Sequence, residues 1–271
     1  MELFKKETKI LITDEGTRLH VCDLNGNLLK SVNPDYCLKA PIGICVGIRK
    51  NGIEEIYIYD RKERTVFVFN QDFELIKKIG MNLEKSDCLT IDCESDILYC
   101  SHFETHNVTF WNVNDSKLIQ KLQIEQPLEL KISENKLYIV SGTDFKFNWG
   151  KRKLPEVFKG NYINVLNKSN YEIINKIQFD DWFFPYSLHL SSDGDIYTIA
   201  YELDKNNGIW SKNRFLFIID STSSQIKQKI ELNDVYSFDD ALYLNNKLIL
   251  CNVNGKRNEI RIIEFEQNSS F

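Results

Sequence analysis

The sequence predicts an all-β fold, a six-bladed β-propeller of four-stranded antiparallel blades, and three observations carry that reading. A hexamer of aliphatic and basic residues recurs: "NLLKSV" at 27–32, "ELIKKI" at 74–79, "KLIQKL" at 117–122, "EIINKI" at 172–177 and "QIKQKI" at 225–230. Each copy follows a short polar turn, such as Asn25-Gly26, Asn70-Gln71-Asp72 or Ser221-Thr222-Ser223. Upstream of each copy stand two β-rich runs in a fixed order, and the whole unit fills about 40 to 60 residues, the length of a propeller blade.

The innermost strand of a blade is read at "IGICVG" (42–47), "CLTIDC" (88–93), "LELKIS" (128–133), "SLHLSS" (187–192) and "ALYLNN" (241–246). The second strand recurs as "KILITD" (9–14), "EIYIYD" (55–60), "DILYCS" (96–101), "KLYIVS" (136–141), "DIYTIA" (195–200) and "KLILCN" (247–252). The third recurs as "RLHVCD" (18–23), "TVFVFN" (65–70), "VTFWNV" (108–113), "YINVLN" (162–167), "FLFIID" (215–220) and "IRIIEF" (260–265). These runs are rich in β-branched and aromatic residues and bounded by polar turns, as strands require. The hexamer is then the outermost strand, its apolar residues alternating with Lys, Gln and Asn so that one face packs on the next blade and the other meets solvent. A helical period fits "ELIKKIGMNLEK" by itself, but five copies behind hairpin turns argue against a helix. The N-terminal "MELFKK" has two possible places: the inner strand of the first blade, or a partner of the C-terminal strands that covers an open edge.

With 271 residues, 42% of them hydrophobic and 12% aromatic, the chain can fill a large core, and one domain over 1–271 is expected. The formal net charge of −5 argues against binding polyanions through bulk charge. No apolar run reaches the length of a signal peptide or membrane span, so a cytoplasmic monomer without membrane contact is expected. Seven scattered cysteines with no CxxC pair fit reduced, mostly buried thiols.

In the unit at 40–80, Pro41-Ile42-Gly43-Ile44, "IYIYD" ending in Asp60, "VFVF" and the closing Gly80 together resemble an NHL repeat. Residues 10–32 match the later part of the same pattern through Asp14, Arg18 and the Asn25-Gly26 turn, while Thr65 stands where family members usually carry arginine. The resemblance implies a propeller that serves as a platform for protein or RNA. Six-bladed lactonase-type enzymes, a related class, hold calcium on the central axis with a few acidic and amide residues. A calcium-dependent hydrolase is therefore the alternative, with Asp35, Glu84, Asp87, Asp180, Asp181 and Asp239 as candidate ligands in the predicted channel-mouth loops.

No P-loop, GxGxxG, HExxH or GxSxG motif occurs, and no catalytic residue, cofactor or metal site is assigned from the sequence. His102 and His106 are four apart but fall in a predicted loop, which points to solvent-exposed histidines. His20 and His189 fall within strands, where packed or hydrogen-bonded side chains are expected.

The loops joining second and third strands are more informative. Residues 142–161 carry five Lys/Arg against two Asp/Glu, and residues 201–214 carry three against two. Residues 60–64 carry three against two, and 252–258 carry two against none. These loops thus hold a surplus of positive charge on an acidic chain. They also contain Phe145, Phe147, Trp149, Phe158 and Trp210. Aromatic residues beside cations suit stacked bases or an acidic protein surface. The expected binding face centres on Lys146, Trp149, Lys151, Arg152, Lys153, Trp210, Lys212 and Arg214, with a protein partner or single-stranded RNA as its ligand.

Overall fold

A computed structural model of the chain describes residues 1–4, 8–13, 16–34, 37–81, 83–85, 88–142, 161–180, 182–191, 194–203, 210–232, 240–244, 246–252 and 259–264. The architecture is all-β, a six-bladed β-propeller whose antiparallel sheets follow one another along the chain. Two compact units are present: Met1–Ile124 with Ile260–Ile262, and Glu125–Glu259 with Ile263–Phe271.

The first unit holds three four-stranded sheets. They comprise β1 (Glu2–Phe4), β2 (Lys9–Thr13), β3 (Leu19–Cys22) and β4 (Leu28–Val32); β5 (Pro41–Ile48), β6 (Glu54–Asp60), β7 (Thr65–Asn70) and β8 (Leu75–Ile79); and β9 (Cys88–Asp92), β10 (Ile97–His102), β11 (Asn107–Asn112) and β12 (Leu118–Gln123). Strand β1 pairs with β2, Leu3 opposite Ile10, so the N-terminal segment is the inner strand of the first blade. Phe4, Leu11, Ile44, Phe67 and Phe69 build the apolar layer between the first two sheets. Tyr57, Tyr59, Val68, Leu89 and Leu98 build the layer between the second and third.

In the second unit the fourth sheet is β13 (Pro127–Ile132), β14 (Lys136–Ser141), β15 (Tyr162–Asn167) and β16 (Ile173–Gln178). The fifth is β17 (Phe183–Pro185), β18 (His189–Leu190), β19 (Asp195–Leu203), β20 (Trp210–Asp220) and β21 (Ile226–Leu232). Its inner strand differs from the expected 187–192. It begins at Phe183 and is broken by Tyr186–Leu188, three residues opposite the two of Thr198–Ile199. The last sheet has three strands among the described residues, β22 (Asp240–Leu244), β23 (Lys247–Asn252) and β24 (Glu259–Glu264). Ile260 belongs to the first unit and lies close to Gly26, where an added Cβ would stand 3.0 Å from its Cγ2.

The recurring hexamer has one local cause in five blades. Each third strand ends in an Asx residue, Asp23, Asn70, Asn112, Asn167 or Asp220, whose Oδ1 accepts the backbone N–H two residues on. This closes an Asx turn. The residue just before the hexamer then takes a left-handed conformation: Gly26 (φ 80°), Phe73 (68°), Ser116 (59°), Tyr171 (60°) and Ser224 (61°).

Simple alternation does not follow. In every one of these blades the pairing of third and fourth strands slips at the hexamer's third position, and Leu29, Ile76, Ile119, Ile174 and Lys227 are the extra residues. A bulge rotates the strand, so two successive side chains escape the core. Leu118 and Ile119 are both exposed, as are Ile173 and Ile174, and the packed face resumes only near the sixth position, as at Ile79 and Ile177. The lysine at the fifth position lies across an aromatic ring in three blades: Lys78 over Phe67 at 4.7 Å, Lys176 over Tyr162 at 4.5 Å, and Lys229 over Phe183 at 3.7 Å. Its ammonium sits over the ring, where the negative face of the aromatic quadrupole attracts it.

Candidate binding surface

The loops between second and third strands leave the sheets at the same end as the connections from one blade to the next. In the second blade that end is organised by Asp60, which is fully buried. One carboxylate oxygen accepts the N–H groups of Lys39 and Ala40, at 2.6 and 2.7 Å, and the other accepts those of Lys62 and Glu63, at 3.0 and 2.9 Å. A single side chain thus holds the incoming connection and the 61–64 turn together. Thr65 donates its hydroxyl to Gly80 O, fastening the outgoing connection to the same turn.

His102 occupies the matching end of β10, and here the sequence expectation of an exposed loop histidine is corrected. The residue is fully buried, paired opposite Asn107. Its Nδ1 lies 3.2 Å from Lys85 O, which can only accept, so Nδ1 donates and Nε2 accepts from Thr109 Oγ1 at 2.7 Å. Where Asp60 grips backbone N–H groups, His102 grips a carbonyl. Burial draws its pKa below the usual histidine value. His20 meets its expectation, with Nδ1 2.8 Å from Ser31 Oγ.

Glu84 is engaged in the fold. Its carboxylate accepts from Thr105 Oγ1, from Asn107 Nδ2 at 3.0 Å and from Lys121 Nζ at 2.9 Å. The hydroxyl and amide bonds, with Lys121 beside them, lower its pKa to about 2. Asp180 is exposed and uses its backbone carbonyl to accept from Phe183 N. Asp35, Asp87, Asp181 and Asp239 lie outside the described residues. Among the described residues no three His, Cys, Asp or Glu side chains gather as metal ligands.

The expected binding residues fall in two groups. Lys146, Trp149, Lys151, Arg152 and Lys153 lie outside the described residues. Trp210, Lys212 and Arg214 belong to strand β20 rather than to a loop. The hairpin continues through Tyr201 opposite Arg214 and Leu203 opposite Trp210, so backbone pairing absorbs both ends of the predicted 201–214 loop. Arg214 is only 7% exposed, and its guanidinium stacks on Tyr201 at 3.9 Å. Desolvation pulls its pKa below the ordinary arginine value. Arg214 therefore acts from beneath the surface.

Tyr186, at the break in the inner strand, sets its ring edge-on to Tyr201 with centroids 5.4 Å apart. Both tyrosines are partly exposed. A break of this kind re-aims a side chain without ending the strand. Sequence reasoning missed this pair, because Tyr186 fell between predicted elements; the "FFPY" run at 183–186 was the available signal.

Both stems of the 142–161 insertion are fixed. Gly142 N donates to Gln126 O at 2.8 Å. Asn161 Nδ2 donates to Phe179 O at 3.0 Å, and its Oδ1 accepts from Gln178 Nε2 at 2.6 Å.

At the opposite end of the first unit, Arg49 ties three turns. It contacts Asp96 at 2.9 Å and donates to Asn114 Oδ1 at 2.8 Å, with Glu55 3.7 Å away. Cys93 packs beside this group, and burial pushes its thiol up to about 11, so it is protonated and inert at neutral pH. None of the seven cysteines forms a disulfide.

No family model and no curated protein matches the chain. Solved structures share its fold. It is similar to Kuenenia stuttgartiensis hydrazine synthase, with a TM-score of 0.61 and 16% identity over 83% of this chain and 63% of that one. A protein of unknown function from Bacteroides caccae matches with a TM-score of 0.60 and 14% identity, over 85% of this chain and 80% of that one. The chain therefore spans less than two thirds of the hydrazine synthase chain, and identities this low speak to fold alone.

Proposed function

We propose that the chain is a non-catalytic, NHL-like binding platform, a cytoplasmic monomer that presents its inserted loops to an acidic partner. The observation that carries this reading is that the stems of the insertions are fixed: Tyr186, Tyr201 and the stacked Arg214 at one, and the hydrogen-bonded Gly142 and Asn161 at the other. Fixed stems lower the ordering cost of binding, and loops on a scaffold are where recognition residues concentrate. The basic surplus of 142–161 steers an acidic surface or an RNA backbone toward it. The NHL comparison gains support from Asp60 and Gly80, which hold the connections at both ends of the repeat.

The test replaces Lys151, Arg152 and Lys153 with glutamate, checks the fold by circular dichroism, and compares capture of native partners and anisotropy with a single-stranded RNA oligonucleotide. For RNA, affinity should fall steeply with salt as counterions are released. Removing Trp149 or Trp210 should then cost about 1–3 kcal/mol through lost stacking. For a protein partner, salt should act mainly on the association rate. Unchanged capture and unchanged RNA binding in the charge-reversed variant would refute the proposal.

A further inference from the structure

His102, Thr109 and Trp111 form a chain of hydrogen bonds whose directions are all fixed by their chemistry. The fully buried His102 ring has Nδ1 3.2 Å from Lys85 O and Nε2 2.7 Å from Thr109 Oγ1. A carbonyl only accepts, so Nδ1 carries the proton and the neutral Nε2 accepts from the Thr109 hydroxyl. That hydroxyl has one proton to give, and its oxygen accepts from Trp111 Nε1 at 2.9 Å. The run is therefore indole N–H to hydroxyl to imidazole, each bond polarising the next. Trp111 is half-buried, packs on the layer between the second and third sheets, and stands at the bulge where β11 and β12 slip. The chain thus leads from the connection before β9 to the outer strand of the same blade.

Adding a proton to His102 conflicts with one end of this chain only. Nδ1 donates to Lys85 O in both charge states, so the connection stays anchored. Nε2 changes from acceptor to donor and then faces the hydroxyl proton of Thr109. The hydroxyl has to turn, and the acceptor it meets is Cys100, whose fully buried thiol already hydrogen-bonds Thr109. Sulfur accepts weakly, so the exchange is unfavourable. Thr109 Oγ1 then accepts from ring and indole together, the polarisation along the chain is lost, and the bond to Trp111 weakens. The charged groups facing the ring are Glu84 and Lys121, of opposite sign, while Glu104 pairs with Lys85 at 2.7 Å. Asp87 of the same connection lies outside the described residues. Burial is the largest influence on the imidazole and disfavours its charged form.

We propose that His102, Thr109 and Trp111 are an acid-sensitive relay within the third blade. Protonation of the buried imidazole turns the Thr109 hydroxyl and loosens the hydrogen bond to the Trp111 indole at the bulge of the outer strand. The relay needs no ligand, and it changes state in the acid range below histidine's ordinary value of about 6.5. It uses none of the inserted-loop residues, so it stands or falls separately from the proposed function.

Nuclear magnetic resonance on the full chain with isotope-labelled tryptophan is the test, since each indole N–H gives one signal and Trp111→Phe identifies the relevant one. As pH falls, the Trp111 indole proton should move upfield in one step, as a weakening hydrogen bond requires. Its midpoint should lie below about 6.5 and coincide with that of the His102 ring signal. His102→Gln should abolish the step. Thr109→Val, which keeps the shape and removes the hydroxyl, should leave His102 titrating while Trp111 no longer follows, and Thr109→Ser should restore the coupling. If His102→Gln does not fold, the Thr109→Val and Thr109→Ser pair carries the same decision. Three outcomes would overturn the inference: His102 staying neutral over the whole pH range in which circular dichroism shows the fold, His102 titrating while Trp111 stays still, or the Trp111 step persisting in His102→Gln or Thr109→Val.

Discussion

Ser224 holds φ 61° at the position where the first blade uses Gly26, and it does so without glycine's freedom. A left-handed non-glycine residue costs about 1 kcal/mol and glycine's added freedom in the unfolded chain offsets about 0.4–1 kcal/mol of that, so Ser224→Gly should raise stability by no more than about 0.6 kcal/mol. Paired urea melts would check this. Gly26→Ala should go the other way, because its φ of 80° strains a side chain and the new Cβ meets Ile260 Cγ2 at 3.0 Å. The titrating residues give a pH dependence with a definite sign. Glu84 and Asp220 both have their pKa lowered to about 2 by hydrogen bonds from Thr105, Asn107 and Lys121 in one case and from Ser223 and Lys227 in the other. A depressed carboxylate contributes stability that is present above its unfolded value, about 4, and is lost as pH falls toward about 2. Glu84→Gln should therefore flatten the acid limb of a stability–pH curve between those values. His102 is depressed as well, so its contribution is present above the unfolded value, about 6.5, and declines below it. An acid limb for Glu84→Gln identical to the parent's would contradict the role given to that carboxylate.

At the scale of the element, the hexamer shows what was legible in the sequence and what was not. Its recurrence marked the outer strand correctly, because Asx turns and β-branched runs are local signals. The bulge at its third position was not legible, since a one-residue slip depends on pairing with the neighbouring strand rather than on the strand's own pattern. Alternation consequently assigned the wrong faces to Leu118, Ile119, Ile173 and Ile174. The reach of β20 back to Trp210 was hidden for a similar reason: "WSKNR" is polar by composition, and only pairing with β19 makes it a strand. His102 looked like a loop residue until Lys85 O and Thr109 were seen around it. Two substitutions test the assignment. Ile119→Thr should change stability by less than about 0.5 kcal/mol, because the bulged side chain is exposed. Ile79→Ala, at the packed sixth position with no exposure, should cost about 2–5 kcal/mol. Equal effects would remove the bulge from the account. Gly47 supplies a further check: a Cβ there would overlap the Cys93 sulfur and stand 2.8 Å from Ile91 Cγ2, so Gly47→Ala should destabilise by about 1–3 kcal/mol through overpacking.

At the scale of the whole molecule, the sequence separates charge: a chain of net −5 concentrates basic residues in the segments joining second and third strands. The described structure adds the framework that carries them, Asp60 and Thr65 in the first unit, and Tyr186, Tyr201 and Arg214 in the second. The outer strands are poor competitors for a partner. Their bulges twist each edge, and their lysines cover aromatic rings or pair with carboxylates, devices that discourage edge-to-edge pairing. Binding at the loops and exclusion at the outer strands is the central claim, and amide hydrogen exchange on the chain with and without a captured partner tests it most directly. The account predicts slowed exchange in 142–161 and 201–214, with 27–32, 74–79, 117–122, 172–177 and 225–230 unchanged. Protection confined to those five outer strands, with the loops exchanging as before, would contradict it.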